Sequence, residues 1–198
     1  MKRIFDLIAS LIGGTILIPL ILFLSCVILL FNGWPVFFIQ QRLGKNKIPF
    51  NMIKFRTMKS GISKNSEHDA VRQTKIGKLL RKTSIDELPV LFNVINGDMS
   101  LVGPRPLLLK YGPRFSPKQD KRHHVLPGIT GLAQINGRNT ISWEDKFDFD
   151  IQYVKNHSFW IDLKILIKTM FLVIKFQGTS PHGEDIMSEF MGSENNDI

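Results

Sequence analysis

The sequence predicts an α/β protein, mostly helical with a small sheet, held to a membrane by an N-terminal helix that breaks and re-enters. Three observations predict it. Ile8 to Phe31 is a run of 24 residues without a charge, with Pro19 at its middle. Residues 50–58 alternate apolar and polar side chains, the period of a strand, while the other apolar runs read as helices. The formal charge of +9 on 198 residues is concentrated in one block, since Arg42 to Lys82 holds twelve Lys or Arg against Glu67 and Asp69.

The N-terminal run comes first. A helix of about 20 apolar residues crosses a bilayer, so this one is long enough. It is too long for a typical signal peptide and lacks the small-residue cleavage pattern. Pro19 removes a backbone hydrogen bond and disturbs the helix at that point. Both flanks are basic: Lys2 and Arg3 before, Arg42, Lys45 and Lys47 after. Basic flanks favour the cytoplasm, and a single crossing would put one of them outside. A helix-break-helix entering and leaving by the same face satisfies both. Cys26, the only cysteine, excludes an internal disulfide and a cysteine zinc site. The five histidines lack metal-ligand spacing.

Residues 35–41 read as a short strand leaving the membrane, and 42–49 as a basic turn region. Residues 50–58 form the second strand, with Lys54 and Arg56 on one face. Residues 60–66 are a polar loop. Residues 70–82 read as a basic helix carrying Arg81, with Ile76, Leu79 and Leu80 as its apolar side. Asp86 and Glu87 follow, before an apolar helix from Leu88 to Ile95 that Asn96-Gly97 stops. Ser84-x-x-Glu87 fits a capping box, and acidic residues are favoured in a first helical turn. The same pair, placed after a basic segment, can instead hold a divalent metal or attack phosphorus.

Gly103-Pro104-Arg105-Pro106 sets an arginine between two prolines, which fix the backbone on both sides of it. Such an arginine loses little entropy on binding an anion. It can equally make a structural ion pair. Residues 127–139 are rich in turn formers, and their three glycines permit close backbone approach to a ligand. Neither standard nucleotide-binding glycine pattern is present. Residues 143–156 read as an acidic helix. Residues 158–176 read as an apolar helix on which Lys164, Lys168 and Lys175 form one stripe, a pattern for a helix lying in the membrane interface. Residues 179–198 are polar and read as a mobile tail.

In this order and spacing, these segments resemble one family, the small monotopic phosphoglycosyl transferases of bacteria. The similarity is carried by Lys54-Phe55-Arg56-Thr57-Met58, Asp86-Glu87-Leu88, Leu91-Phe92-Asn93-Val94, Gly97-Asp98-Met99-Ser100, Gly103-Pro104-Arg105-Pro106, Pro127-Gly128-Ile129-Thr130-Gly131 and Asn136-Gly137-Arg138-Asn139. It runs from Lys2 to about Gly178. Ile141 to Glu144 and Tyr153 to Asn156 resemble most the members that start N-linked glycan assembly with an N-acetylated bacillosamine phosphate. No residue decides the sugar on physical grounds.

The resemblance implies a re-entrant membrane helix over 1–34 and an α/β catalytic domain over 35–178 with interfacial helices. It implies a place on the cytoplasmic face of the bacterial inner membrane. The implied reaction moves a sugar phosphate from a UDP-sugar to polyprenyl phosphate, releases UMP and needs Mg2+. Asp86 takes the role of nucleophile and metal ligand, and Glu87 that of dyad partner. Lys54, Arg56, Arg81, Arg105, Arg138, Gln134 and Asn136 are the residues expected at the phosphates and nucleotide. Members of the family often carry Ser-Pro at the helix break, and here Ile18-Pro19 stands there. Downstream glycosyltransferases are possible partners, and nucleic acid is not expected. One alternative keeps the reaction but has the lipid phosphate attack directly. The other is a membrane-tethered module binding nucleic acid or acidic lipid through Arg42 to Lys82, with steep salt dependence.

Overall fold

The structure is a computed structural model that describes residues 1–59, 72–137, 140–174 and 189–192. It is mostly helical, with two small sheets of two strands each. Helix α1 (Lys2–Asn32) leads to the antiparallel hairpin of β1 (Phe37–Leu43) and β2 (Pro49–Phe55), in which Phe38 pairs with Lys54. Helix α2 (Lys75–Lys82), a 3-10 turn (Ile85–Glu87) and helix α3 (Val90–Asn96) follow. Strand β3 (Ser100–Val102) pairs in parallel with β4 (Gly128–Thr130). Between them lie a 3-10 segment (Leu109–Arg114), the short helix α4 (Pro117–Asp120) and a 3-10 turn (Lys121–His124). Helices α5 (Leu132–Ile135), α6 (Trp143–Asn156) and α7 (Phe159–Ile174) complete the body.

Helix α1 runs unbroken through Pro19, where the sequence suggested an interruption. A proline removes only one bond from the ladder, and the apolar residues on either side keep the helical pattern. Its 31 residues make it about 46 Å long at the usual rise. It is the one helix among the described residues long and apolar enough to cross a membrane. Most of it is uncovered, with Leu11, Ile12, Ile16, Leu22 and Phe23 all exposed.

Both ends of α1 are nevertheless fastened to the same body. At its start, Arg3 donates to the carbonyls of Val94 and Ile95 at the end of α3, at 2.6 and 3.0 Å. Lys2 pairs with Asp162 of α7 at 2.6 Å, and the buried Asp6 accepts from Ser100 at 2.8 Å. Tyr153 ties the same Asp162 to the Val102 carbonyl. At the other end, Ile21 and Ile28 are buried with Val36, Phe55 and Leu80 in one apolar cluster. Arg56 there donates to the carbonyls of Asn32, Gly33 and Trp34. Breaking one such buried contact typically costs about 1–3 kcal/mol.

Several boundaries differ from those the pattern suggested. The helix expected from residue 70 starts at Lys75, because the Thr74 hydroxyl accepts from the Gly77 amide and caps it. Gln73 instead bridges to Met58. β2 stops at Phe55, so Lys54 and Arg56 do not share a strand face. In the 127–139 segment, the glycines approach protein backbone rather than a ligand. A Cβ on Gly128 would meet the Gly103 amide at 2.0 Å, and one on Gly131 the Gly103 carbonyl at 2.2 Å. Of the tail, Glu189 to Gly192 are docked, with Phe190 only 2% exposed. The polar loop at 60–66 lies outside the described residues.

On α7, Ile165 is buried, while Lys164, Lys168, Met170 and Phe171 are exposed. The helix is thus two-sided, with lysine and large apolar side chains both on its open surface. Lys175 lies outside the described residues.

Candidate active site

The dyad is placed by a turn rather than by a helix. Helix α2 ends at Lys82, and Ser84 takes a left-handed conformation, φ 57° and ψ 15°. A non-glycine residue rarely adopts it, and such strain concentrates at functional sites. It redirects the chain so that Ile85 and Leu88 pack on the apolar cluster of Phe55 and Leu80, while Asp86 and Glu87 face away. The capping-box alternative fails here. Ser84 makes no side-chain capping bond, and the Glu87 carboxylate is engaged elsewhere.

Glu87 Oε1 receives two cations, Lys54 Nζ at 2.7 Å and Arg105 Nη2 at 2.6 Å. Lys54 arrives from β2 and Arg105 from the loop after β3. Burial opposes ionisation of Glu87, but Arg105 and Lys54 outweigh it and hold its pKa well below the usual carboxylate range. Burial lowers the pKa of Lys54, with Glu87 opposing the shift. Glu87 in turn raises that of Arg105.

Asp86 is in a different state. It carries no hydrogen bond or ion pair among the described residues. Burial and the adjacent Glu87 charge push its pKa up to about 6, against the pull of Lys54, Arg81 and Arg105. One carboxylate of the dyad is therefore committed to holding cations. The other is half-buried, unpaired and available.

Arg81 reaches this region because α2 packs hard on the residue after Arg56. A Cβ on Gly77 would lie 2.0 Å from the Thr57 carbonyl, so only glycine lets the helix come this close. Arg81 Nε then donates to Thr57 Oγ1 at 2.9 Å, and its charge acts on Asp86.

The Arg105 loop is tethered on both sides. Gly128 donates to the Pro104 carbonyl at 2.9 Å, Leu43 to the Leu107 carbonyl at 2.9 Å, and Arg122 to the Arg105 carbonyl at 2.8 Å. Arg122 is itself buried and holds Asp150 at 2.6 Å. The backbone is thus fixed while the Arg105 side chain remains 47% exposed.

Three further residues expected at the phosphates make no recorded contact with the dyad. Arg56 is 6% exposed, with its guanidinium on the carbonyls that end α1. Gln134 is buried on α5 with no hydrogen-bond partner among the described residues. Asn136 bonds back to Leu132 and accepts from Lys168. Arg138 lies outside the described residues.

Sequence reasoning missed Arg42 and Lys146. Burial and then the charge of Arg105 lower the pKa of Arg42 to about 10 and that of Lys146 to about 8. Both therefore feel the same arginine. Arg42 lay in view as part of the basic block, and strand pairing at the end of β1 is what brings it to the Pro106 carbonyl. No sequence signal marked Lys146.

No group of three His, Cys, Asp or Glu side chains close enough to hold a metal occurs among the described residues. A magnesium ion here would rely on Asp86 plus substrate oxygens. That fits an ion bound by one or two carboxylates together with phosphates. An anion-binding surface with one free carboxylate at its centre is suited to bind a diphosphate and attack it.

Comparison with known proteins bears on the general reaction class alone. Residues 1–176 match the sequence profile of the bacterial sugar transferases. An uncharacterised sugar transferase of Bacillus subtilis, EpsL, is 50% identical over 195 residues, covering 98% of this chain and 96% of that one. An Aeromonas hydrophila protein named UDP-N-acetylgalactosamine-undecaprenyl-phosphate N-acetylgalactosaminephosphotransferase is 38% identical, over 85% of this chain and 42% of its own. The UDP-glucose:undecaprenyl-phosphate glucose-1-phosphate transferase of Klebsiella pneumoniae is 38% identical, over 86% and 39%. The chain thus spans about two fifths of the length of these last two relatives.

Proposed function

Since the chain belongs to the bacterial sugar transferase family, we propose that it is a phosphoglycosyl transferase that moves a sugar 1-phosphate from a UDP-sugar to polyprenyl phosphate. The products are UMP and a polyprenyl-diphosphate-sugar. The observation that carries the reading is the division of labour in the dyad: Glu87 holds Lys54 and Arg105, and Asp86 is left unpaired.

In the first step, an Asp86 oxygen attacks the sugar-bearing phosphorus of the donor. The bond from that phosphorus to the oxygen bridging to UMP breaks, and UMP leaves with the electron pair. The resulting acyl phosphate is energetic enough to be passed on. A phosphate oxygen of the lipid then attacks the same phosphorus, and the Asp86 carboxylate departs. Lys54, Arg81 and Arg105 bind and orient the phosphates, and the planar fork of arginine suits paired oxygens. Magnesium, when bound at Asp86 and the donor, supplies neutralisation of the diphosphate charge.

The membrane setting is supported by the uncovered apolar faces of α1 and α7. The two charged clips of α1, Lys2-Arg3-Asp6 at one end and Arg56 at the other, grip one polar body. A helix crossing the bilayer would part its ends by about 30 Å of hydrocarbon, so this arrangement favours both ends on one side of the membrane, with the body on the cytoplasmic face, although no break at Pro19 divides the helix. An apolar cavity of about 440 Å³ between α1, β1 and α3 is lined by Ile18, Ile21, Leu22, Val36, Phe37 and Phe92. Ile21 and Val36 belong to the cluster on which Ile85 and Leu88 pack. The cavity thus shares an apolar cluster with the two residues that flank the dyad, and it is the apolar site we assign to the acceptor lipid.

The names of the relatives span glucose and N-acetylgalactosamine donors, and the sequence resemblance adds N-acetylated bacillosamine. UMP release should be measured in nanodiscs with magnesium and a panel of these UDP-sugars, with and without polyprenyl phosphate. One donor is expected to turn over only when lipid is present. UMP from no donor, with lipid and magnesium supplied, would contradict the reading.

A further inference from the structure

Glu189 to Gly192 return to the body beyond a stretch outside the described residues. Phe190 enters a box of four aromatic side chains. Its ring centroid lies 5.0 Å from Phe147, 5.5 Å from Trp143, 5.8 Å from Phe115 and 6.1 Å from Tyr111. Glu189 pairs with Lys110 and Arg114 at 2.8 Å each, and Arg114 also donates to the Phe190 carbonyl at 2.5 Å. The Glu189 pairs are solvent-screened and contribute little. Burial of the Phe190 ring is the main hold.

Two walls of this box have a second duty. Phe115 and Phe147 face the Arg122 guanidinium at 5.7 and 5.5 Å from their ring centroids. Helix α6 presents Phe147 and, one turn on, Asp150, which takes both Arg122 Nε and Nη2. Arg122 Nη2 in turn donates to the Arg105 carbonyl, and Arg105 reaches Glu87. Each link is a direct contact. The link through Arg105 is also stiff, because prolines on either side leave its backbone few alternative conformations.

We infer that the C-terminal segment completes the active site from behind. Phe190 is a positioning residue that sets Arg105 against Glu87 through Phe115, Phe147 and Arg122. Without the ring, the two phenylalanines lose a packing partner, Arg122 loses its fixed bed, and the Arg105 carbonyl loses its anchor. This rests on the phosphoglycosyl transferase reading of the dyad, and it adds a contribution from the far end of the chain.

The test is a double-substitution cycle in the full-length enzyme in nanodiscs. Phe190→Ala is expected to lower kcat/KM by about tenfold, since small misplacements of a binding group are costly. Phe190→Leu, which keeps most of the apolar volume, should recover the larger part. In an Arg105→Ala background, Phe190→Ala should cost less than about threefold, because residues acting through one another are non-additive. Equal losses in both backgrounds would overturn the inference. So would a loss confined to thermal stability with kcat/KM unchanged. Hydrogen exchange decides the matter without turnover. Phe190→Ala must speed exchange at the amides of Gly128 and Leu43, which donate to the Pro104 and Leu107 carbonyls on either side of Arg105, and unchanged exchange there overturns the inference. A wild type that releases no UMP defeats the reading of the dyad instead, and the exchange result still stands or falls by itself.

Discussion

Arg105 and Glu87 meet through a 2.6 Å contact between Nη2 and Oε1, eighteen residues apart in the chain. Lys54 shares the same oxygen. Two cations are thus held in place by one carboxylate, and the neighbouring carboxylate of Asp86 has no such partner among the described residues.

Arg105→Lys tests the need for a fork. A lysine keeps the charge and can pair with Glu87, but it cannot make two parallel bonds to phosphate. The expected result is a fall in kcat/KM of about 10- to 100-fold, somewhat less than the loss of a whole preorganised donor because the charge is kept. Steady-state UMP release would read it. Arg105→Lys with wild-type kinetics would reduce the arginine to a structural ion pair.

The pH profile follows from the dyad. Asp86 must be ionised to attack, and its pKa is pushed up to about 6 by burial and by Glu87. Activity as kcat/KM should therefore rise with pH through about 6, reported as an apparent value for the pair. In Glu87→Gln the repelling charge is gone and both cations act on Asp86, so the limb should move to lower pH.

The same shift sets a stability difference. A carboxyl whose folded pKa lies above its unfolded value contributes stability below about pH 4, and that contribution is lost as pH rises through 6. Asp86→Asn carries no such penalty. It should exceed the wild type in thermal stability above pH 6, by up to about 3 kcal/mol from a shift of roughly two units, and converge with it in acid. Thermal unfolding at pH 5 and pH 8 would show it.

Gly77→Ala sets two effects against each other. Alanine favours a helix interior by about 1 kcal/mol, whereas its Cβ would sit 2.0 Å from the Thr57 carbonyl. A backbone clash of that depth wins, as overpacking costs about 1–3 kcal/mol or more. The variant should be less stable and, because α2 moves away from Thr57, less active through Arg81.

The two ends of α1 should lie on one side of the membrane. A cysteine placed before Met1 and another at Asn46, each in a Cys26→Ser chain, should both escape a membrane-impermeant maleimide in intact spheroplasts. Labelling of the N-terminal cysteine alone would make α1 a single crossing.

Much of this site was legible in the sequence because charge and chain rigidity are local properties. The basic block, the Asp86-Glu87 pair and the proline-flanked Arg105 could be seen without a fold, and Lys54, Arg105 and Glu87 do come together. What stayed hidden depends on where a strand or helix ends. Arg56 looked equivalent to Lys54 by alternation, but β2 stops between them, and Arg56 turns to the end of α1. Ser84 looked like a capping side chain, but its left-handed backbone precedes a 3-10 turn that it caps with no side-chain bond. The docking of Phe190 was invisible because its partners are spread from residue 111 to 147, and a polar tail carries no period.

The most direct test of the central claim is a single-turnover measurement. The preferred UDP-sugar is mixed with magnesium and a near-stoichiometric amount of enzyme, without lipid, and UMP is counted. The account predicts a burst approaching one UMP per enzyme, absent in Asp86→Asn, with polyprenyl phosphate added later collecting the sugar phosphate. Turnover with lipid but no burst without it would contradict the covalent route and leave Asp86 as a metal ligand for direct attack.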